Sequence, residues 1–457
     1  GLTGLNATSG FSPVFGNESI PPPFDPYNPD MTSGDSGDIT VNATGPGGLV
    51  ARGASITTES LGFGRGGSIV LNASDIRLST EEGARAAIAS QSLFAGDAGQ
   101  IEVKATGNIE LSDSYEISAS VAGTGTGGNV SVTAGGNITI TGKNSGVASA
   151  TVQAPPDVED LFASFFGLPD FETMVAVFTD FGLVEPGADL FDVMGALQTI
   201  GLIDLGDPDP TAGNAGAVSV AASSLNMSGE NRITSSTTSD GNGGPINIQV
   251  GSLNLDDKAE IRSRSGLVND STNQLEVGTG NGGDISITAS SAVNMQNGAS
   301  ISSRSLGTGL AGNVSVNAGQ TFDMSGGSSI STQATVSDGG NIAVDVVQQL
   351  YMLEANITTS VESGLGGGGN IDIDPKFVIL NQSNILANAF GGPGGNINIV
   401  AGNFIVTPDS VIDASSALGL DGTVNISSPD EEVADDLAVL PDNYLDVTSL
   451  MSDRCGT

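Results

Sequence analysis

The chain of 457 residues carries 13 basic and 52 acidic side chains, a formal charge of −39, with no His and no Trp. That balance excludes a nucleic-acid partner, because holding the phosphate backbone takes clustered Lys and Arg. Sixty-six glycines against 4% aromatic residues exclude a wide globular core, and no stretch approaches the roughly 18 apolar residues of a membrane-spanning helix.

The strongest signal is one recurring phrase, G-G-(N/D/S)-I-x-I-x-A, followed by a second alternating stretch, then A-x-I-(S/T)-(S/T) and further glycines. Its first apolar residue falls at Ile39, Ile69, Ile101, Val130, Val218, Ile246, Ile285, Val314, Ile342, Ile371, Ile397 and Val424. Most intervals are 26 to 32 residues; the exceptions are 88 after Val130 and 39 after Ile246. Such a period marks a stack of repeats. Within each phrase polarity alternates with period two, the signature of a strand. Ile285, Ile287 and Ala289 point one way and Ser286 and Thr288 the other; Val293 with Met295, then Ala299 with Ile301, continue the pattern. Three short strands joined at Gly and Asn corners make one coil of a triangular solenoid. The expected fold is all-β, a parallel β-solenoid of about twelve coils spaced at about 4.8 Å. Small inward residues such as Ala134, Ala289 and Ala318 suit a core too thin for aromatics.

In chain order, residues 1–36, with Pro21-Pro22-Pro23, read as a turn-rich N-terminal extension or the tail of a preceding coil. Residues 37–142 hold the first coils. Their Gly–Gly corners read as positive-φ bends. The residues that follow, Asp38, Asn129, Asp284, Asn313, Asn341, Asn370 and Asn396, read as an axial ladder or as partners for corner backbone groups. The N-x-(S/T) strings at Asn129, Asn137 and Asn313 are read as turns rather than glycosylation acceptors. Residues 143–213 break the rhythm as a helical, acidic insertion. Twelve acidic residues lie between Asp157 and Asp209. Phe171, Met174, Val175 and Phe178 fall at helical spacing, and so do Leu190, Val193, Met194 and Leu197. Coils resume over 214–428. Residues 429–457, with seven acidic residues between Asp430 and Asp446, form a tail or cap. Cys455 is the single cysteine, so no internal disulfide forms. Beginning at Gly1, the chain reads as a processed or partial one, whose compartment cannot be taken from a leader.

The phrase PDSVIDASSALGLDGTVNISSPD (408–430), followed by LPDNYLDVTSLMSDRC (440–455), resembles the C-terminal part of filamentous-haemagglutinin-like exoproteins of two-partner secretion systems, most closely the cyanobacterial kind. The upstream coils are similar to the same family, so the likeness covers most of 37–455. It implies a right-handed parallel β-helix and export through an outer-membrane partner transporter of a Gram-negative-type bacterium. It also implies an extracellular life as a surface adhesin or fibre. The family's N-terminal secretion domain is not visible, since Asn28-Pro29-Asp30 does not match its motif, and the 143–213 insertion has no counterpart in it.

Parallel β-helices also carry polysaccharide-cleaving sites, but general acid–base work needs a group that titrates near neutrality or a shifted carboxylate pair. Without His the commonest base is missing, and Asp256-Asp257 and Asp372/Asp374 read as corner and strand-surface acids. Arg262, Arg264 and Arg304 occupy comparable strand positions and make the nearest approach to a basic patch, read as a solvated face. No enzyme and no required cofactor are expected. Calcium remains a weaker candidate ligand, with corner oxygens of Asp35, Asp38, Asp256 and Asp257 as its donors. The paired hydroxyls at Thr57-Thr58, Thr234-Ser235, Ser302-Ser303, Ser331-Thr332 and Thr358-Thr359 are expected to stack into a hydroxyl-bearing face, which reads as ordinary strand surface or, alternatively, as an array for a glycan or ice. The expected function is a stiff surface rod or fibre that self-associates. Phe162, Phe165, Phe166, Phe171, Phe178, Phe181 and Phe191 of the insertion are its expected contact residues. The alternative is an isolated, tethered, glycan-binding adhesin.

Overall fold

The computed structural model describes residues 4–9, 35–60, 64–80, 85–92, 96–121, 125–151, 176, 213–237, 240–269, 274–276 and 279–428. Every one of the twelve apolar positions that open the phrases is the first residue of a strand, from Ile39–Ala43 to Val424–Ser427. These twelve strands stack in parallel and in register, so that Ile39 lies over Ile69, Ile69 over Ile101, and so on to Ile397 over Val424. They form the first face of a parallel β-solenoid. A second face runs from Leu49–Arg52 to Asn403–Val406, and a third from Ser55–Ser60 to Val411–Asp413. The first two faces belong to one large sheet. In four coils they run through the corner as continuous strands, Val218–Ser228, Ile246–Asp256, Ile342–Leu353 and Ile371–Asn381. The third face is a sheet of its own.

The period-two lettering dictates the packing. Inward columns of Ile, Val, Leu and Met are almost wholly buried along all three faces, and Ala134, Ala289 and Ala318 sit inside as expected. The core nevertheless admits two aromatics: Phe322 and Tyr115 are fully buried. Phe322 stacks between Val293 and Leu350. The Tyr115 ring finds room because its column holds Ala54 and Ala86 in the two preceding coils, and its hydroxyl donates to the Ala54 carbonyl at 2.7 Å. Burial raises the pKa of that phenol.

The corner glycines work differently from the positive-φ bends expected of them. None of the residues two places before the first apolar position has a positive φ; those values occur mainly at the turns entering and leaving the second face, as at Asp257, Asn297 and Gly327, and just after the third face at Gly266 and Gly364. At the first-face corner the chain crosses the preceding coil too closely for a side chain. A Cβ on Gly312 would lie 2.3 Å from the Gly283 carbonyl oxygen, and one on Gly340 would lie 2.0 Å from that of Gly312. The glycine there is a spacer set by contact rather than a hinge set by torsion.

Three boundaries also shift. Gly4–Ser9 is a strand that pairs with Ser55–Ser60, so the extension includes part of the third face before the first coil. Gly146–Thr151 completes the fourth coil, so the repeat breaks after Thr151 and not at residue 143. The 39-residue interval after Ile246 accommodates an antiparallel hairpin, Leu267–Asn269 with Gln274–Glu276. Of residues 152–212 of the expected helical insertion only Ala176 falls among the described residues, and the tail 429–457 lies outside them. Among the described residues no helix is long and apolar enough to cross a membrane.

Candidate functional site

The expected hydroxyl face divides in two. Thr58, Ser90, Ser149, Ser235, Ser263, Ser303, Thr332 and Thr359 point inward and are fully buried, so they cannot meet a ligand. The parity of the phrase contains this result: Ile56 and Ile301 face the core, and the residue two places on must share that side. Each buried hydroxyl fastens the third face to the glycine corner. Ser303 Oγ donates to the Gly283 carbonyl (2.9 Å) and accepts from Gly312 N–H (3.0 Å). Ser263 does the same between the Gly244 carbonyl (2.9 Å) and Gly283 N–H (2.9 Å). Thr332 and Thr359 donate forward to the Gly340 and Gly369 carbonyls at 2.5 and 2.6 Å. The other hydroxyl of each pair, as in Ser302, Ser331 and Thr358, lies on the outer surface and is part-exposed.

The corner Asn and Asp residues serve both purposes proposed for them at once. From Asp284 through Asn313, Asn341, Asn370 and Asn396 each Oδ1 accepts the backbone N–H of the equivalent residue in the next coil, at 2.7–3.0 Å. The same oxygens take the next side-chain Nδ2 at 3.1–3.3 Å from Asp284 to Asn370, giving an unbroken outer ladder. A second ladder, three residues upstream, was not anticipated: Asn214 to Asn242 to Asn281 to Leu310, with Oδ1 accepting N–H at 2.8 Å each time. Asp97 is its acidic version, accepting from Thr126 N–H (2.9 Å) and Oγ1 (2.6 Å). The Thr126 hydroxyl, with help from its amide and from Arg65, holds the Asp97 pKa below its ordinary value against the opposing effect of burial.

The same ladders account for two of the four carboxylates considered for calcium, and a turn accounts for the other two. Asp35 Oδ1 accepts from Arg65 N–H at 2.8 Å and Asp38 Oδ1 from Ser68 N–H at 2.7 Å. Asp256 Oδ1 accepts from Asp257 N–H (2.7 Å) and Asn297 Nδ2 (2.8 Å), while Asp257 sits in the left-handed region at φ 49°. Among the described residues no three Asp, Glu, His or Cys side chains gather as a metal cage. All seven phenylalanines expected to mediate contact lie outside the described residues.

The charges that packing does not require stand elsewhere. On the outer side of the third face Arg264 and Arg304 are register partners in adjacent coils, and Arg262 precedes Arg264 by two residues. Arg262 pairs with Glu260 and Arg304 with Glu362, each at 3.2 Å, and Arg232 lies 3.8 Å from Glu260. Arg264 has no carboxylate at ion-pair distance among the described residues. Desolvation, reinforced by the neighbouring arginines, pushes its pKa down to about 10. The buried Nε of all three, Arg262, Arg264 and Arg304, lacks an acceptor. On the outer side of the first face Asp345 and Asp374 are register partners, and Asp372 precedes Asp374 by two residues. These three are exposed.

No protein-family model, curated protein or solved structure matches the chain.

Proposed function

We propose that this chain is an extracellular structural and adhesive rod of the filamentous-haemagglutinin-like kind. It would leave the cell through an outer-membrane partner transporter and act at the outer surface. Its work would be mechanical: a stiff body that holds a surface at a distance and associates with further copies into fibres or sheets. The observation that carries this reading is the unbroken register from Ile39 to Val424. Pulling along or across such a stack loads many parallel hydrogen bonds together, and the outer amide ladder adds a second set at the corners. Interior hydroxyls and close-contact glycines then serve rigidity.

A second reading, a glycan-binding adhesin acting as isolated tethered rods, draws on the outward polar rail of Ser302, Ser331 and Thr358. Electron microscopy of material freshly released from the cell surface separates the two. Regular fibres or sheets built from this chain support the structural polymer. Single rods fixed at one end support the adhesin, and globular particles would overturn both.

A further inference from the structure

We infer that Arg262, Arg264 and Arg304 form the receiving half of a contact between copies of this chain, whose other half is Asp345, Asp372 and Asp374 of a second copy. The inference rests on the self-associating reading above and gives it a location. Both trios have the same outline. In each, two charges stand two residues apart on one strand, about 6.6 Å, and the third stands one coil away, about 4.8 Å, over the second of the pair. Arg262 and Arg264 share one strand with Arg304 in the following coil over Arg264. Asp372 and Asp374 share another, with Asp345 in the preceding coil over Asp374.

The opposite direction of the coil step makes the two outlines complementary rather than merely similar. A half-turn about the strand direction brings the first face of one rod against the third face of another. It sets Asp374 on Arg264, Asp372 on Arg262 and Asp345 on Arg304 together, with the rod axes antiparallel. Had both trios stepped the same way, only two of the three could have met. A single rod cannot make this contact with itself, because the trios lie on different faces of one rigid stack.

The chemistry agrees. The protein has thirteen basic residues against fifty-two acidic ones, so three arginines on one outer patch mark a place where an acidic surface is tolerated. Glu260 and Glu362 neutralise part of that patch, yet Arg264 keeps no carboxylate of its own among the described residues. Asp345, Asp372 and Asp374 have no ion pair or side-chain hydrogen bond among the described residues, and Lys376 is the one cation that follows them on the strand. Thr234 and Ser302 on one side and Ala343 on the other are small outward neighbours; Ser236 is buried, and the Arg262 and Arg304 side chains are 22% and 38% exposed. Copies at −39 repel one another at long range, but in about 0.15 M salt charges beyond about 8 Å are screened and the contact charges decide.

The test is a charge exchange followed by sedimentation velocity in about 0.15 M salt. One variant carries Arg264→Glu with Arg304→Glu, the other Asp345→Arg with Asp374→Arg. Each alone sets like charges together and is expected to lose the associated species, while an equimolar mixture is expected to regain it. All six positions are on the outer surface, so circular dichroism should match the native chain. If a variant loses that signal, Arg264→Gln and Asp374→Asn replace the reversals, and each is expected to weaken association at least tenfold. A variant that associates like the native chain, or a mixture that stays monomeric, would overturn this contact and leave self-association standing. A native chain that is monomeric at every concentration would overturn both.

Discussion

Ser302 and Ser303 are adjacent, chemically identical, and placed on opposite sides of one strand, so they offer a controlled measurement of what the interior hydroxyls contribute. Ser303→Ala removes a group that satisfies the Gly283 carbonyl and the Gly312 N–H, both buried and both without another partner among the described hydrogen bonds. Leaving one buried backbone group unpaired costs about 1–3 kcal/mol, so the pair is worth about 2–6 kcal/mol. A stack of repeats opens locally as well as globally, and a bulk unfolding curve would dilute the effect. Amide hydrogen exchange is the better assay. At about 1.4 kcal/mol per factor of ten, amides around 303–314 should exchange at least about 30-fold faster in Ser303→Ala. Ser302→Ala, which loses only a part-exposed hydroxyl, should stay within about 0.5 kcal/mol, roughly a twofold change. Ser303→Thr should fall between them, because Thr332 and Thr359 make one such bond from the equivalent position. Equal exchange in the Ser302 and Ser303 alanine variants would refute the assignment of the inner hydroxyls as corner fasteners.

Two glycine substitutions should separate contact from torsion. Gly340→Ala, whose Cβ would lie 2.0 Å from the Gly312 carbonyl oxygen, is expected to cost about 3 kcal/mol or more by forcing two coils apart. Gly327→Ala meets no atom within 4 Å but has a φ of +77°, and should cost only about 1–2 kcal/mol; urea midpoints by circular dichroism compare them. Asn341→Ala removes the acceptor of Asn370 N–H and, being exposed, should cost about 1 kcal/mol and speed exchange at Asn370. The Asp97 pKa is lower folded than unfolded. Its contribution is therefore present above the ordinary carboxylate pKa and fades as pH falls through the folded value. Thr126→Val should raise the Asp97 pKa, seen by carboxyl-carbon NMR, and move that acid loss to higher pH.

The sequence exposed the stack itself because each strand's first apolar residue occupies a column in which every coil must place a similar side chain at the same height. Ile69, Ile101 and Ile246 are fixed by the same cavity, and a twelve-fold restatement of one constraint is legible without a second sequence. The corner ladder was legible for the same reason, since Asn313, Asn341 and Asn370 repeat at one place. What stayed hidden depended on distances that lettering does not contain. Glycine is written the same way whether torsion or a neighbouring carbonyl demands it, and only the 1.9–2.4 Å separations at the stacked corners decide between them. The place for Tyr115 is readable only once Ala54 and Ala86 are known to lie in its column. The inner hydroxyls were within reach, because parity assigns Ser303 to the side of Ile301; treating Ser302-Ser303 as one unit concealed it.

These devices have a common origin, and it bears on where function must lie. Strands in a parallel stack satisfy their own backbone groups, but a corner turns the peptide planes away from the axis and leaves carbonyls and amides without strand partners. The close crossing that requires glycine at Gly283 and Gly312 also shuts water out, so these groups need a protein partner. Ser303 supplies it from inside, and Asp284 and Asn313 supply it from outside. Inward and corner positions are thereby committed to holding the coil together. Outward strand positions are not, since Ser, Thr, Asn, Gln, Ala and charged residues all occur there at no cost to the stack. A cluster that departs from this neutral background, such as three arginines in two adjacent coils of a strongly acidic chain, is answered only in part by Glu260 and Glu362 of the same rod. The charge that those pairs leave over is what the proposed contact between copies would use.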